Sequence, residues 1–140
     1  MLLQRAFRSR RGTVLLESVM AFMVLTLLFF GLIEMFGLIR DGLAINRIAR
    51  AAAREAAVTG NVAAGRALAA DMADQYFGPR AGSVRVEFER YDGYRRHSVT
   101  CRATYPHMVL NVFRNVMGRG EVNLSARAVF GWYDFSQQYE

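Results

Sequence analysis

An uninterrupted apolar segment near the amino terminus constrains this chain more than any other feature. Residues 13–33 have the sequence TVLLESVMAFMVLTLLFFGLI and contain one charged side chain, Glu17. An α-helix of this length rises roughly 32 Å, which matches the thickness of a bilayer core. Within a chain of 140 residues, a small domain could hardly cover such a helix on every side. The sequence therefore predicts a membrane-spanning helix and disfavours the alternative, a buried helix of a soluble domain.

Positive charge is concentrated just before this segment. The chain has 18 basic residues, all arginine, against 12 acidic ones, which gives a formal net charge of +6. Residues 1–12 contain no acid and four of the arginines, namely Arg5, Arg8, Arg10 and Arg11. Basic residues before an apolar span and mixed charges after it predict a cytoplasmic N-terminus and an external C-terminus. We expect no nucleic-acid partner, because such proteins carry their excess charge on the folded domain.

A secretory signal peptide also begins with a basic stretch that is followed by an apolar run. This apolar run, however, is longer than the hydrophobic region of such a peptide, and no small-residue cleavage site follows it directly. The alanine triplet at residues 51–53 comes well after the run and lies among arginines. Retention of the segment is therefore favoured over its removal on the far side of the membrane.

The helix is predicted to continue beyond the apolar segment. Residues 34–58 contain no proline and are rich in Ala, Leu, Ile and Arg, which are reasonable helix formers. Apolar residues recur there at steps of three and four, at Leu38, Ile45, Ile48, Ala49, Ala52 and Ala56. Charged residues occupy the remaining faces, at Arg40, Asp41, Arg47, Arg50 and Arg54. The combined helix would be roughly 65–70 Å long and would stop at Thr59-Gly60-Asn61, which has the residues of a helix end and of the next N-cap.

A second, shorter helix is predicted at residues 62–77. Its apolar stripe is assigned to Ala64, Leu68, Met72 and Tyr76. The dipeptide Gly78-Pro79 ends it, because glycine terminates helices and proline cannot continue them.

The pattern then changes to the period of two that is typical of half-buried strands. Three antiparallel strands are predicted, at residues 84–89, 99–105 and 122–128. Asp92-Gly93 is expected to form a hairpin turn, and Pro106 is expected to end the second strand. Residues 107–117 are apolar and fit either a short helix or a packed loop. The predicted fold class is α+β, with a long N-terminal helix, a short helix and a small antiparallel sheet.

The junction between the basic stretch and the apolar segment is the most informative site. Glu17 lies one helical turn inside the span, where an ionised carboxylate is costly unless a positive group neutralises it. If the chain were cut after Gly12, the new α-amine of Thr13 would lie about one helical turn from that carboxylate and could pair with it. Glycine suits a protease site because it lets the backbone approach an active site closely. The competing interpretation, equally open on the glutamate alone, is that Glu17 reaches the cytoplasmic surface beside Arg10 and Arg11.

The complete arrangement of basic leader, glycine, four residues, glutamate and apolar run resembles the class III signal of type IV pilins. Roughly residues 10–60 resemble, more specifically, the N-terminal region of TadE-like pseudopilins of the tight-adherence (Tad/Flp) pilus. Those proteins carry a G-(L/I)-(I/V)-E element, matched by GLIE at residues 31–34, and an A-A-R-E-A-A stretch, matched at residues 52–57. The major Flp pilin is typically far shorter and lacks a head, so the resemblance favours a minor pilin.

The resemblance implies four segments with separate roles. Residues 1–12 would form a leader, residues 13–33 the transmembrane and assembly helix, residues 34–60 its amphipathic continuation, and residues 61–140 an extracytoplasmic head. A prepilin peptidase would cut after Gly12, Thr13 would become the mature N-terminus, and Glu17 would pair charges during assembly.

The resemblance also implies partners and a location. The partners are other pilin subunits, the prepilin peptidase, the inner-membrane assembly platform and, before assembly, membrane lipid. The precursor would lie in the bacterial inner membrane before it enters an extracellular pilus or a periplasmic pseudopilus. The alternative of a different class is a single-pass membrane-anchored adaptor whose head binds another envelope protein.

No catalytic residue, metal site or cofactor is expected. The sequence contains no nucleophile–base–acid constellation, and His97 and Cys101 would lie about 13 Å apart on one strand face without a third ligand. Cys101 is interpreted as a small buried side chain, with an intermolecular disulfide as the lesser alternative. His107, beside Pro106, is interpreted as a loop residue. Three aromatic residues of the tail, Trp132, Tyr133 and Tyr139, are interpreted as packing against the sheet, with a contact patch as the alternative.

Overall fold

A computed structural model describes residues 2–93, 96–110, 114, 118 and 120–133. Its elements are, in chain order, α1 (Leu2–Thr59), α2 (Val62–Phe77), a 3-10 helix (Gly78–Ser83), β1 (Arg85–Asp92), β2 (Arg96–Met108) and β3 (Glu121–Tyr133). The three strands form one antiparallel sheet in the order β1-β2-β3. The predicted α+β fold is therefore confirmed: a long apolar N-terminal helix, a second short helix and a three-stranded antiparallel sheet.

The chain divides into two compact units, residues 1–37 and residues 38–140. The first unit is the N-terminal part of α1. The second unit contains the rest of α1 together with α2, the 3-10 helix and the sheet. It holds the hydrophobic core, which α1, α2 and the sheet all supply.

The part of α1 in the second unit contributes a face of small and branched side chains to this core. Of the predicted apolar positions, Ile45, Ile48, Ala49, Ala52 and Ala56 are buried, as expected from their helical spacing, whereas Leu38 is only half-buried. The sheet contributes the inward residues of β2, and the half-buried residues of β1 and β3 pack around them. The predicted alternation of apolar and polar residues along each strand is thus confirmed, and the apolar residues lie on the face of the sheet that packs on the core.

The buried stripe of α2 differs by one position from the predicted one. Gly65, Ala69 and Ala73 are buried, whereas Leu68 and Met72 are only half-buried beside them. A β-carbon at position 65 would lie 2.7 Å from the Ala52 carbonyl oxygen, so only glycine allows α2 to approach α1 this closely. Close approach of the two backbones, rather than side-chain hydrophobicity, therefore decides which face of α2 is buried.

The second strand does not end at Pro106, contrary to the prediction. β2 continues to Met108 and pairs Pro106 with Asn123 of β3. Its pairing with β1 has already ended, at the pair Arg85–Thr104. Beyond that point β3 is the only paired neighbour of β2 among the described strands. A proline without an N–H group is tolerated where a strand is paired on one side only.

The ends of the helices match the predicted signals. α1 ends at Thr59 and is followed by Gly60 in the left-handed region, with φ of 65°. Asn61 caps α2, because its side-chain oxygen accepts a hydrogen bond from the backbone N–H of Ala63 at 2.9 Å. Gly78, with φ of 53°, ends α2 before the 3-10 helix.

Some predictions fall partly outside the described residues. β1 ends at Asp92 as a turn there requires, but residues 94 and 95 of the connection are not described. Most of residues 111–117, in the segment predicted as helix or loop, and Tyr139 of the tail also lie outside the described residues.

Candidate functional site

The first part of α1 presents large apolar side chains to its surroundings on every face. From residue 14 to residue 36 the exposed ones are Val14, Leu15, Leu16, Val19, Met20, Phe22, Met23, Val24, Leu25, Leu27, Leu28, Phe29, Phe30, Leu32, Ile33, Met35 and Phe36. A soluble monomer rarely exposes so large an apolar surface. Among the described residues, α1 is the one helix long and apolar enough to cross a membrane, and it has the composition of a membrane anchor or a signal sequence.

The hydroxyl groups within this segment are satisfied inside the helix. The hydroxyl of Ser18 donates to the carbonyl oxygen of Val14 at 2.9 Å, and that of Thr26 donates to Phe22 at 2.8 Å. These bonds to the carbonyl four residues earlier are the usual way in which Ser and Thr avoid an unpaired donor in an apolar helix. Neither hydroxyl therefore needs water at the position where it lies.

The predicted processing and assembly residues all lie on α1. Gly12 is helical, and Thr13 and Glu17 are both exposed one turn apart, about 6 Å along the axis. The structure therefore places the carboxylate of Glu17 on the surface of the apolar segment rather than inside a core. The backbones of Arg5, Arg8, Arg10 and Arg11 belong to the same helix, and their side chains are outside the described part of the chain.

The second carboxylate of the segment is placed differently. Glu34, in the element GLIE, is buried to 9% exposure, whereas Glu17 is exposed. The two glutamates therefore have different surroundings although both follow apolar residues. Sequence spacing placed both on one helix, but it did not distinguish the buried one from the exposed one.

A pair that the sequence analysis did not find joins α1 to β2. The Nδ1 atom of His107 lies 2.7 Å from the Oδ2 atom of Asp41, and the two side chains are 11% and 15% exposed. His107 is therefore a residue of β2 and not of a loop, which corrects the earlier interpretation. The signal was available, because the inward alternation at positions 99, 101, 103 and 105 extends to position 107 once β2 passes Pro106.

A second network lies at the opposite end of β2. The guanidinium of Arg90 binds the carboxylate of Asp92 at 2.8 Å and donates to the carbonyl oxygen of Gly60 at 3.1 Å. Asp92 also lies 3.0 Å from Nδ1 of His97, whose ring stacks on Trp132 with centroids 5.5 Å apart. The hydrogen bond from His97 and then that from Arg90 lower the pKa of Asp92 below its usual value of 3.8.

His97 thus contacts Asp92 and Trp132. Among the described residues, no group of three His, Cys, Asp or Glu side chains is arranged to hold a metal ion. Cys101 is fully buried with a free thiol, and burial raises its pKa from 9.0 to about 11. A thiol in this position is protonated at neutral pH and shielded from other chains.

Comparison with known proteins does not assign the chain to a family. No family model matches the sequence, and neither a curated protein nor a solved structure matches it significantly.

Proposed function

We propose that this chain is a structural subunit of a Tad/Flp-type pilus, a TadE-like minor pilin without catalytic activity. The observation that supports this most is the exposed apolar segment of α1, which carries an exposed glutamate one turn from its beginning. An isolated membrane anchor has no need of that carboxylate, and an ionised group within the span by default calls for a functional explanation. The preceding basic stretch and the resemblance of residues 10–60 support the same assignment.

In this proposal the precursor is held in the inner membrane by residues 13–33, with the head on the external side. A prepilin peptidase at the cytoplasmic face cuts the peptide bond after Gly12. The cut removes the four leader arginines and creates a new α-ammonium group on Thr13. Arginines in the leader therefore act as an orientation and processing signal rather than as a binding surface.

Assembly then moves the apolar segment from lipid to a bundle of the same segments from other subunits. Both environments are apolar, so side-chain packing and charge pairing must favour assembly rather than the hydrophobic effect. The ammonium of Thr13 and the carboxylate of Glu17, from one subunit or from neighbours, neutralise each other in the bundle. A buried charge left without its partner costs roughly 3–5 kcal/mol, so this pairing sets the register of the subunits.

The cut after Gly12 is the test of this function. N-terminal sequencing or intact mass of the membrane-associated protein, from cells with an active prepilin peptidase, should give a chain that begins at Thr13. Gly12→Leu should abolish the cut. Gly42→Leu is the matched control, because a β-carbon at position 42 would meet no atom within 4 Å, and it should be processed normally.

An uncleaved chain in those cells would contradict the pilin assignment. It would favour the single-pass adaptor, which shares the membrane anchor and lacks the processing step. Glu17→Gln should leave membrane insertion intact and prevent incorporation into filaments. The control Glu87→Gln, an exposed carboxyl on β1, should leave incorporation unchanged. Normal incorporation of Glu17→Gln would limit Glu17 to an interfacial role.

A further inference from the structure

One face of α1 in the second unit carries four exposed arginines, which we call the arginine stripe: Arg40, Arg47, Arg50 and Arg54. Their spacings of seven, three and four residues place them on one side of the helix. The buried residues of the same helix, among them Ile45, Ile48 and Ala52, face the core on the other side. The arginine stripe therefore points away from the head.

No carboxylate neutralises the stripe within the described part of the chain. The ion pairs there join Arg90, His97 and His107 to aspartates, and none includes a stripe arginine. Asp41, the acid next to Arg40 in the sequence, has its carboxylate 2.7 Å from His107 and is only 15% exposed. The carboxylate of Asp41 therefore contacts His107 and not Arg40, and the guanidinium of Arg40 can bind another anion.

The stripe begins just after the exposed apolar segment of residues 14–36. Two further apolar side chains, Ile39 and Leu43, are more than half exposed and continue the apolar surface of α1 on either side of Arg40 in the sequence. At 1.5 Å per residue, Arg47 lies about 6 Å beyond Leu43 along the helix axis, and Arg54 lies about 16 Å beyond it. Arg40 therefore lies at the edge of this apolar surface and Arg47 lies just beyond it, as headgroups lie at the edge of the hydrocarbon in a lipid leaflet.

We infer that Arg40 and Arg47 form a binding site for the phosphate groups of anionic phospholipids in the leaflet on the head side. Guanidinium groups donate two parallel hydrogen bonds to a phosphate, and a basic side chain at an anionic membrane surface contributes about 1 kcal/mol. Charge complementarity and continuity with the apolar segment both select a lipid surface. The site holds the head of the precursor near the membrane before assembly, and in that respect it extends the proposed function.

Distance from Leu43 along the helix axis divides the stripe into two pairs. Electrostatic attraction to a charged surface is screened over about 8 Å at physiological ionic strength. Arg40 and Arg47 lie within this distance of Leu43, whereas Arg50 and Arg54 lie about 10 and 16 Å beyond it. The second pair has the same residue type, the same exposure and the same helix face, so it is a matched control for the first.

The test uses the full chain in nanodiscs that contain phosphatidylcholine and a minor fraction of phosphatidylglycerol. Native mass spectrometry of the released protein measures the ratio of the two lipids that remain bound. The unsubstituted chain should prefer phosphatidylglycerol. Arg40→Gln should lower this preference about fivefold, and Arg40→Gln/Arg47→Gln about twenty-fivefold. Arg50→Gln/Arg54→Gln should change it less than twofold. Circular dichroism should show unchanged thermal unfolding for all variants, since these side chains are exposed.

The outcomes separate this inference from the proposed function. Absence of a phosphatidylglycerol preference in the unsubstituted chain overturns the lipid site, even if cleavage after Gly12 is normal. Equal losses from the two pairs of substitutions also overturn it, because they indicate a diffuse attraction of the whole stripe to the anionic surface instead of a site at Arg40 and Arg47. A lipid preference with the predicted gradient, in a chain that is never cleaved, supports the lipid site and contradicts the pilin assignment.

Discussion

The two parts of α1 bury different kinds of side chain. In residues 13–37 the large apolar side chains of Leu, Phe and Met are exposed, although this is the most hydrophobic part of the sequence. In residues 44–56 the fully buried side chains are mostly those of alanine, including Ala49, Ala52 and Ala53. Hydrophobicity alone therefore does not predict which side chains are buried in the core of the protein.

Packing distance explains this difference. Small side chains let the backbones of α1 and α2 approach closely, which fills the core of the head without large side chains. Bulky side chains on all faces of a helix keep neighbours at a distance and suit contact with lipid or with other subunits. The alanine face is thus adapted to one fixed intramolecular partner, and the apolar segment to an environment outside the chain.

The strongest test of this comparison removes one large side chain from each part. Ile48→Ala should lower the free energy of unfolding of the head by about 2–5 kcal/mol, because it leaves a cavity in the core. Leu25→Ala should change it by less than about 0.5 kcal/mol, because Leu25 is 65% exposed. Urea unfolding in detergent, followed by the fluorescence of the single tryptophan, Trp132, measures both. Similar losses in the two variants would contradict the division of α1 into a packed part and an exposed part.

A smaller effect is expected where α2 contacts α1. A β-carbon at Gly65 would meet the Ala52 carbonyl oxygen at 2.7 Å and the Ala56 β-carbon at 2.9 Å. Gly65→Ala should therefore destabilise the head by roughly 1–3 kcal/mol, despite the better helix propensity of alanine. Gly42→Ala is the control, because its β-carbon meets no atom within 4 Å, and it should be stabilising by up to about 1 kcal/mol. Thermal unfolding by circular dichroism checks both, and a stable Gly65→Ala variant would show that close packing does not hold α2.

The sequence predicts the elements of this fold better than it predicts their contacts. The alternation of β2 follows from local periodicity. The bounds of α2 follow from the residues that start and end helices, namely Asn61, Gly78 and the glycine after Thr59. The predicted buried face of α2 is wrong by one residue, because hydrophobic periodicity favours Leu68 and Met72 over the smaller Gly65 and Ala69. Helix packing depends on the partner's shape, which the periodicity of one segment does not contain.

The candidate sites show the same limit. The position of Glu17 in the apolar segment is visible in the sequence, because it depends on neighbours within one helical turn. The pair of Asp41 and His107 is not, because 66 residues separate its members and neither belongs to a motif. The strand extension through Pro106 that brings His107 inward depends in turn on where β1 begins, at Arg85 opposite Thr104, which is a property of the sheet and not of β2.

The smallest expected effect concerns the network that follows the packed part of α1. Asp92 binds His97 and Arg90, and Arg90 in turn holds the Gly60 carbonyl just after α1 ends. Because the pKa of Asp92 is lower in the folded protein than in the unfolded chain, its contribution to stability is present above its unfolded pKa of 3.8. That contribution is lost as the pH falls through the lower folded value. Lowering the pH from about 5 to about 3 should therefore reduce the urea midpoint more in the unsubstituted chain than in Asp92→Asn.

Glu89→Gln removes an exposed carboxyl of the same strand outside this network and should keep the full pH dependence. If Asp92→Asn and Glu89→Gln respond alike, the end of α1 is held by packing alone, and the charged network does not contribute to it.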